Sequence, residues 1–253
     1  MFIDWLRGNL GNEGEFMYKE IHIVSTIIVV SVCVILAVIG SIKKISDKNK
    51  RIILNSIAIF QLSFEILWRA IYLFVFNTEL NQLWPMYPCN LGGVLVPIIA
   101  LLNNRTMKDM FYVFGFVGAC LTFAMPEGIF CRDVMSFPIL KSVLQHTGLL
   151  IIPSFEYASK MYRPTIKRYY LLVLGCMIHF INCELFDRLI GLNGDYMFYG
   201  SGLPFVIPGV SQYITLSVFA LIVFYIIVFL LNIKDAIDHY KNQFRRKNNT
   251  NQE

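Results

Sequence analysis

A cysteine at the head of a long apolar run is the first residue of this sequence whose type and setting could do chemistry. Cys89 stands in "WPMYPCNLGG", residues 84–93, behind Pro85 and Pro88 and ahead of Asn90, Gly92 and Gly93. Prolines suit the first turn of a helix, where the amides they lack have no intrahelical acceptor. A thiol at that position feels free amides and the positive end of the helix dipole, which favour a thiolate and can cradle an oxyanion. A capping turn holding a buried, inert cysteine explains the same residues. Gly92 and Gly93 remove side chains one turn on, where a ligand chain or a neighbouring helix can approach. His146, in "LQHTGLL", lies inside a later apolar run. A lone histidine there serves either as a hydrogen-bonded packing residue or as a base.

Two further polar sets fall on single helical faces. Gln61, Glu65 and Arg69 recur at steps of four. Glu65 and Arg69 can neutralise each other one turn apart, or Arg69 can hold a phosphate or carboxylate with its planar fork. Cys176, His179, Cys183 and Asp187 recur at spacings of three and four, with Asn182 and Glu184 beside them. Cysteine and histidine so spaced could ligate a metal, but no second cluster supplies the missing ligands at a recognised spacing. A polar face turned to a bundle interior is the simpler reading.

The elements that must position these residues are membrane helices. Of 253 residues, 56% are hydrophobic and 15% charged. The apolar residues gather in blocks of about 18 to 25, the length a helix needs to cross a bilayer. Seven such runs are expected, at residues 20–42, 52–76, 86–103, 110–126, 138–155, 168–190 and 211–232. The first is too long for a signal core and lacks a small-residue cleavage site, so it is expected to be retained.

Charge orients the bundle. "KKISDKNKR" carries five Lys or Arg, whereas "NTELNQLW" carries none; "NNRTMKD" has two, "PEGIFCRDVMSF" one and "EYASKMYRPTIKR" four. From Asp187 to Gln212 only Arg188 appears, and the tail is basic again. Positive charge thus alternates with loop number, which places the N-terminus outside and the C-terminus in the cytoplasm. This bias accounts for the net charge of +5 without a nucleic-acid partner.

The organisation expected is all-α: an extracytoplasmic segment 1–19, a seven-helix domain 20–233 and a basic tail 234–253. The loop "IGLNGDYMFYGSGLPFVIPG" reads as an outer cap at the membrane interface or as a plain connector with aromatic anchors. No internal repeat supports a duplicated transporter.

The segments "WPMYPCNLGGVLVPIIALLNNR", "FPILKSVLQHTGLLIIP" and "MYRPTIKRYYLLVLGCMIHFINCELFDRLIGLNGDYMFY", in this order, resemble the YwaF-like family of bacterial integral membrane proteins, which is similar to the animal transmembrane protein 164 family. The resemblance covers residues 50–230. It implies a multi-pass protein of a bacterial cell membrane. From the animal branch it implies a phospholipid-remodelling acyltransferase that carries an acyl group on a cysteine with a histidine partner. Matched motif by motif, these are Cys89 and His146. The bacterial pattern has a histidine two residues before the cysteine; here Tyr87 stands there.

The implied chemistry has His146 take the thiol proton while Cys89 attacks a phospholipid ester. A lysophospholipid hydroxyl then takes the acyl group from the thioester. Glu65, Arg69, Asn90, His179 and Glu184 are the candidate substrate-binding residues, with no cofactor or metal required. By helical rise Cys89 lies about 5 Å and His146 about 12 Å below the same surface. Two other classes fit the residues: a solute-binding or transport protein with Glu65, Arg69, His179, Glu184 and Asp187 along its pathway, and a noncatalytic membrane partner. A lipid hydrolase is the same chemistry with water as acceptor.

Overall fold

The apolar blocks fold as their length requires. The computed structural model describes residues 1–16, 18–85, 87–126, 129–191, 215 and 217–233, and its regular elements are all helical. In chain order these are α1 (Phe2–Arg7), α2 (Glu20–Ser41), α3 (Asp47–Val75), α4 (Pro88–Leu102), α5 (Arg105–Ala124), α6 (Phe137–Ala158), α7 (Tyr169–Ile190) and α8 (Ser217–Ile233). A helix thus occupies each of the seven apolar runs, and α1 is an addition. Among the described residues α2, α3 and α5 combine the length and apolarity of a membrane crossing. Helix α4, with 15 residues, is shorter. The loop between the sixth and seventh runs, expected as an outer cap or a connector, the basic tail and the Asp187 side chain lie outside the described residues.

Two helices begin five residues before their apolar blocks, because caps rather than hydropathy start them. Ser46 accepts a hydrogen bond from the Asn49 amide at 3.3 Å ahead of α3, and Asn104 accepts one from the Met107 amide at 3.0 Å ahead of α5. Each first turn therefore carries charge.

Helix α6 is the hub and packs against α2, α3, α4 and α5. Its inward face, with Ile139, Leu149, Ile152 and Phe155, meets Leu54 and Ala58 of α3, Val96 and Ile99 of α4 and Tyr112 of α5 in the main core. Small residues allow the close approach. A Cβ on Gly148 would lie 2.4 Å from the Gln61 side chain, and one on Gly175 would lie 2.3 Å from the Met110 carbonyl. The second contact presses α7 against α5, where Val113, Val117 and Leu172 join Phe224 and Val228 of α8. Outside the core, Val24, Ile27, Ile28, Val34 and Ile35 of α2 are exposed, an apolar surface suited to lipid.

The bundle has two polar ends. One, the basic end, holds the connections 42–46, 103–104 and 159–168. The other, the thiol end, holds the start of α4, the start of α6 and the folded N-terminal segment. There the Trp5 indole N–H donates to the Met135 carbonyl at 2.8 Å, and Leu6 packs with Trp68, Leu83 and Phe137. Asn12 donates twice to Asp133, at 2.7 and 2.6 Å, and Glu13 pairs with Arg132. Gly11 makes this clasp possible: at φ 79° a side chain is strained, and its Cβ would lie 2.2 Å from Asp133 Oδ1.

Candidate functional site

Helix α4 begins without a side-chain cap, with Tyr87 extended as N-cap and Pro88 in the first turn. The missing cap leaves first-turn amides free. Cys89 follows, half-buried, with its sulfur 4.0 Å from Asn90 Oδ1. No disulfide joins the cysteines of the described residues, Cys89 and Cys131 included.

Around Cys89 stand polar groups from two other helices. On α3, Glu65 is 1% exposed and forms an ion pair with Arg69 at 2.5 Å. Glu65 also accepts from the Trp68 indole at 2.8 Å and from Gln61 Nε2 at 3.4 Å. The expected face of Gln61, Glu65 and Arg69 is therefore a connected chain. Trp68 extends it, carrying Arg69 at 4.2 Å and Lys141 at 4.4 Å over its ring. Lys141 comes from α6 and interacts electrostatically with Cys89, Glu65 and Arg69. Two cations against one carboxylate leave net positive charge beside the thiol, a setting that favours an anion.

Gln145 completes the set. A Cβ on Gly93 would lie 2.7 Å from both Gln145 Nε2 and Glu65 Oε1, so the glycine admits both side chains. Gln145 is 1% exposed, yet among the described residues its Nε2 has no hydrogen-bond partner, and neither has Arg69 Nη2. Buried donors without acceptors are costly. Here two of them lie in the same cluster.

His146 is placed differently. Its Nδ1 lies 2.7 Å from the Ser142 carbonyl, which can only accept, so the proton sits on Nδ1 and Nε2 keeps the lone pair. The ring packs edge-on to Phe123 and borders a narrow crevice with Phe130 and Val143. No hydrogen bond joins it to Cys89. Because Gly93 lies level with Gln145, Cys89, four residues earlier in α4, stands about 7.5 Å nearer the thiol end than His146, one residue further along α6.

The span-six residues are dispersed. His179 is fully buried against Phe114, with Cys183 Sγ at 3.4 Å from Nε2 and no partner for Nδ1. Glu184 pairs along its own helix with Arg188 at 3.7 Å. Among the described residues no three His, Cys, Asp or Glu gather as a metal site. Asn182 reaches the thiol end as a brace, accepting from Trp84 at 3.0 Å and donating to the Pro85 carbonyl at 3.1 Å, just before α4.

Sequence reasoning missed Lys141, Gln145 and Trp68. The first two carried a signal: a lysine and a glutamine four residues apart inside an apolar run must face a polar interior.

No curated protein and no solved structure matches the chain. A family model described as the TMEM164 family matches residues 17–229. The match bears out the resemblance to the transmembrane protein 164 family and does not extend to the YwaF-like family.

Proposed function

Because this membrane protein belongs to the TMEM164 family, we propose that it is an acyltransferase that moves phospholipid acyl chains through a thioester on Cys89. The observation that supports this reading best is the company of the thiol: the open first turn of α4, the Lys141 ammonium and the Glu65–Arg69 pair with unpartnered donors beside it. Such a site suits the oxyanion that forms when a thiol attacks an ester, and a lipid phosphate held by Arg69.

In the first half-reaction the Cys89 proton passes to His146 Nε2 and the sulfur adds to the ester carbonyl. The carbon–oxygen bond then breaks, and the departing lysophospholipid takes the proton back. In the second half an acceptor hydroxyl gives its proton to His146 and attacks the thioester; the carbon–sulfur bond breaks, and the Cys89 sulfur takes the proton from His146. The difference in height between the two residues requires α4 and α6 to shift as lipid enters, and apo catalytic geometry is often loose in this way. Membership of a solute pathway is less favoured for Glu184, which pairs with Arg188 along its own helix.

The bundle crosses the membrane seven times, with the thiol end and N-terminus outside and the basic end in the cytoplasm. This orientation is supported by Lys43, Lys44, Lys160, Arg163 and Lys167 lying in connections at one end.

The test uses purified protein in detergent micelles with a radiolabelled acyl phospholipid. Hydroxylamine-sensitive label on the wild type and none on Cys89→Ala is expected, with transfer to added lysophospholipid. Equal label on Cys89→Ala, or none on the wild type across a range of phospholipids, overturns the proposal. Release of labelled fatty acid to water alone makes the protein a hydrolase.

A further inference from the structure

At the basic end, where α2, α4 and α6 finish and α3 starts, lies a cavity of about 610 Å³. Lys43, Lys50, Arg51 and Lys160 line it with Asp47 and Asn103, four cations against one carboxylate. Three of the surrounding termini are helix C-ends, whose partial negative charge suits cations. A positive-inside bias alone would scatter such residues over exposed loops. Lys50 is not so placed.

Lys50 is only 7% exposed, and among the described residues its ammonium has no hydrogen-bond or ion-pair partner. Lys50 lines the cavity, so its ammonium faces space that an entering anion can fill. The neighbouring carboxylate is already engaged. Glu156 lies 2.6 Å from Lys108 and 3.7 Å from Arg51, and accepts from the Tyr112 hydroxyl at 3.3 Å. Asn103 is occupied too, accepting from Lys108 at 2.6 Å. Asp47 is the one carboxylate on the wall, and among the described residues no ion pair joins it to Lys50.

We propose that this cavity binds a phosphate group, with Lys50 as its buried contact and Lys43, Arg51 and Lys160 around it. A phosphate offers acceptors to both the point charges of lysine and the planar fork of arginine. The volume exceeds that of a bare phosphate and accommodates a phosphate ester. The group can arrive as the headgroup of an anionic lipid or as a small soluble phosphate, since basic pockets between membrane helices suit headgroups. This site lies at the far end of α3 from Glu65, about 20 Å away by helical rise, and does not depend on the Cys89 chemistry.

The experiment measures the unfolding midpoint of the full chain in neutral detergent in two arms. One titrates glycerol phosphate or inorganic phosphate against chloride at matched ionic strength. The other titrates short-chain phosphatidylglycerol against phosphatidylcholine. A saturable rise in one arm is expected and identifies the source. Lys50→Gln should weaken it about tenfold or more, the scale of one lost charge-assisted hydrogen bond. The ligand-free midpoint should stay near that of the wild type, because the ammonium that is removed holds no ion pair within the protein. Lys43→Gln, at an exposed position that folding does not need, should weaken the response severalfold. No saturable rise in either arm, or the same response in Lys50→Gln as in the wild type, overturns the proposal.

Discussion

The two ends of the bundle carry similar residues and treat them in opposite ways. At the basic end, apart from the cavity lining, the charges packed around Glu156 and Asp109 answer one another. Glu156 is held by Lys108, Arg51 and Tyr112, while Asp109 is held by Arg105 at 3.2 Å, Arg168 at 2.8 Å and the Tyr162 hydroxyl at 3.1 Å. At the thiol end the count does not close. Glu65 is fully engaged, yet among the described residues Arg69 Nη2 and Gln145 Nε2 have no acceptor, and Lys141 rests on an indole face. A matched network mainly holds helices in register, whereas unmatched donors around a thiol are groups still waiting for an acceptor. Substitutions should therefore cost stability at one end and activity at the other.

The largest effect is expected where the network is most closed. Glu156→Ala strands the ammonium of Lys108, itself 2% exposed, and should cost about 3–5 kcal/mol, the range for breaking a buried pair on one side. Lys108→Met made together with Glu156→Leu should recover most of it, since a well-packed apolar pair replaces the ionic one. Unfolding midpoints of the two variants check this. A single variant as stable as the wild type would mean that the basic end is not structural in this sense.

At the thiol end the balance should invert. Lys141→Met leaves its packing on Trp68 in place but removes the cation beside Cys89, so thioester labelling should slow roughly tenfold to a hundredfold, with a midpoint near that of the wild type. Comparing labelling time courses with melting curves separates the two effects. Slower labelling that merely tracks a lower midpoint would erase the contrast. Gln145→Leu sharpens it further, because it deletes a buried amide donor that nothing satisfies. Its midpoint should rise by about 1 kcal/mol equivalent while labelling falls.

How far the sequence shows this division depends on the range of the forces involved. The helices were legible because a run of about 20 apolar residues has few other folds open to it. Their starts were not, since Ser46 and Asn104 cap charged turns that hydropathy leaves outside. The Glu65–Arg69 pair was legible at one helical turn, and Lys141 could have been found by the same test of charge within an apolar run. The burial of Lys50 could not, because "KKISDKNKR" reads as a solvated loop until three other helix ends close around it. The separation of Cys89 and His146 by about a turn was anticipated from helical rise. Their lateral placement rests on how Gly92 and Gly93 of α4 dock against Leu149 and Gln145, which no local pattern encodes.

The smallest effect belongs to the clasp over the thiol end, and there the sign follows from hydrogen bonding. The Asn12 amide and side chain hold the Asp133 carboxyl below the usual carboxylate range. A carboxylate depressed in the folded state contributes stability that is fully present above its unfolded pKa, about 3.9, and is lost as pH falls through the lower folded value. The group is exposed, so the contribution is small and local. Acidification below about pH 4 should therefore loosen residues 11–13 from 131–133 before the bundle yields. Trp5, bonded to Met135 beside the clasp, should report this as a fluorescence change. Asp133→Asn should show the loosened signal already at neutral pH and no acid step, because its amide cannot gain the charge that Asn12 holds. An acid step that persists in Asp133→Asn would place the titrating group elsewhere and leave the clasp held by Gly11 and the Glu13–Arg132 pair alone.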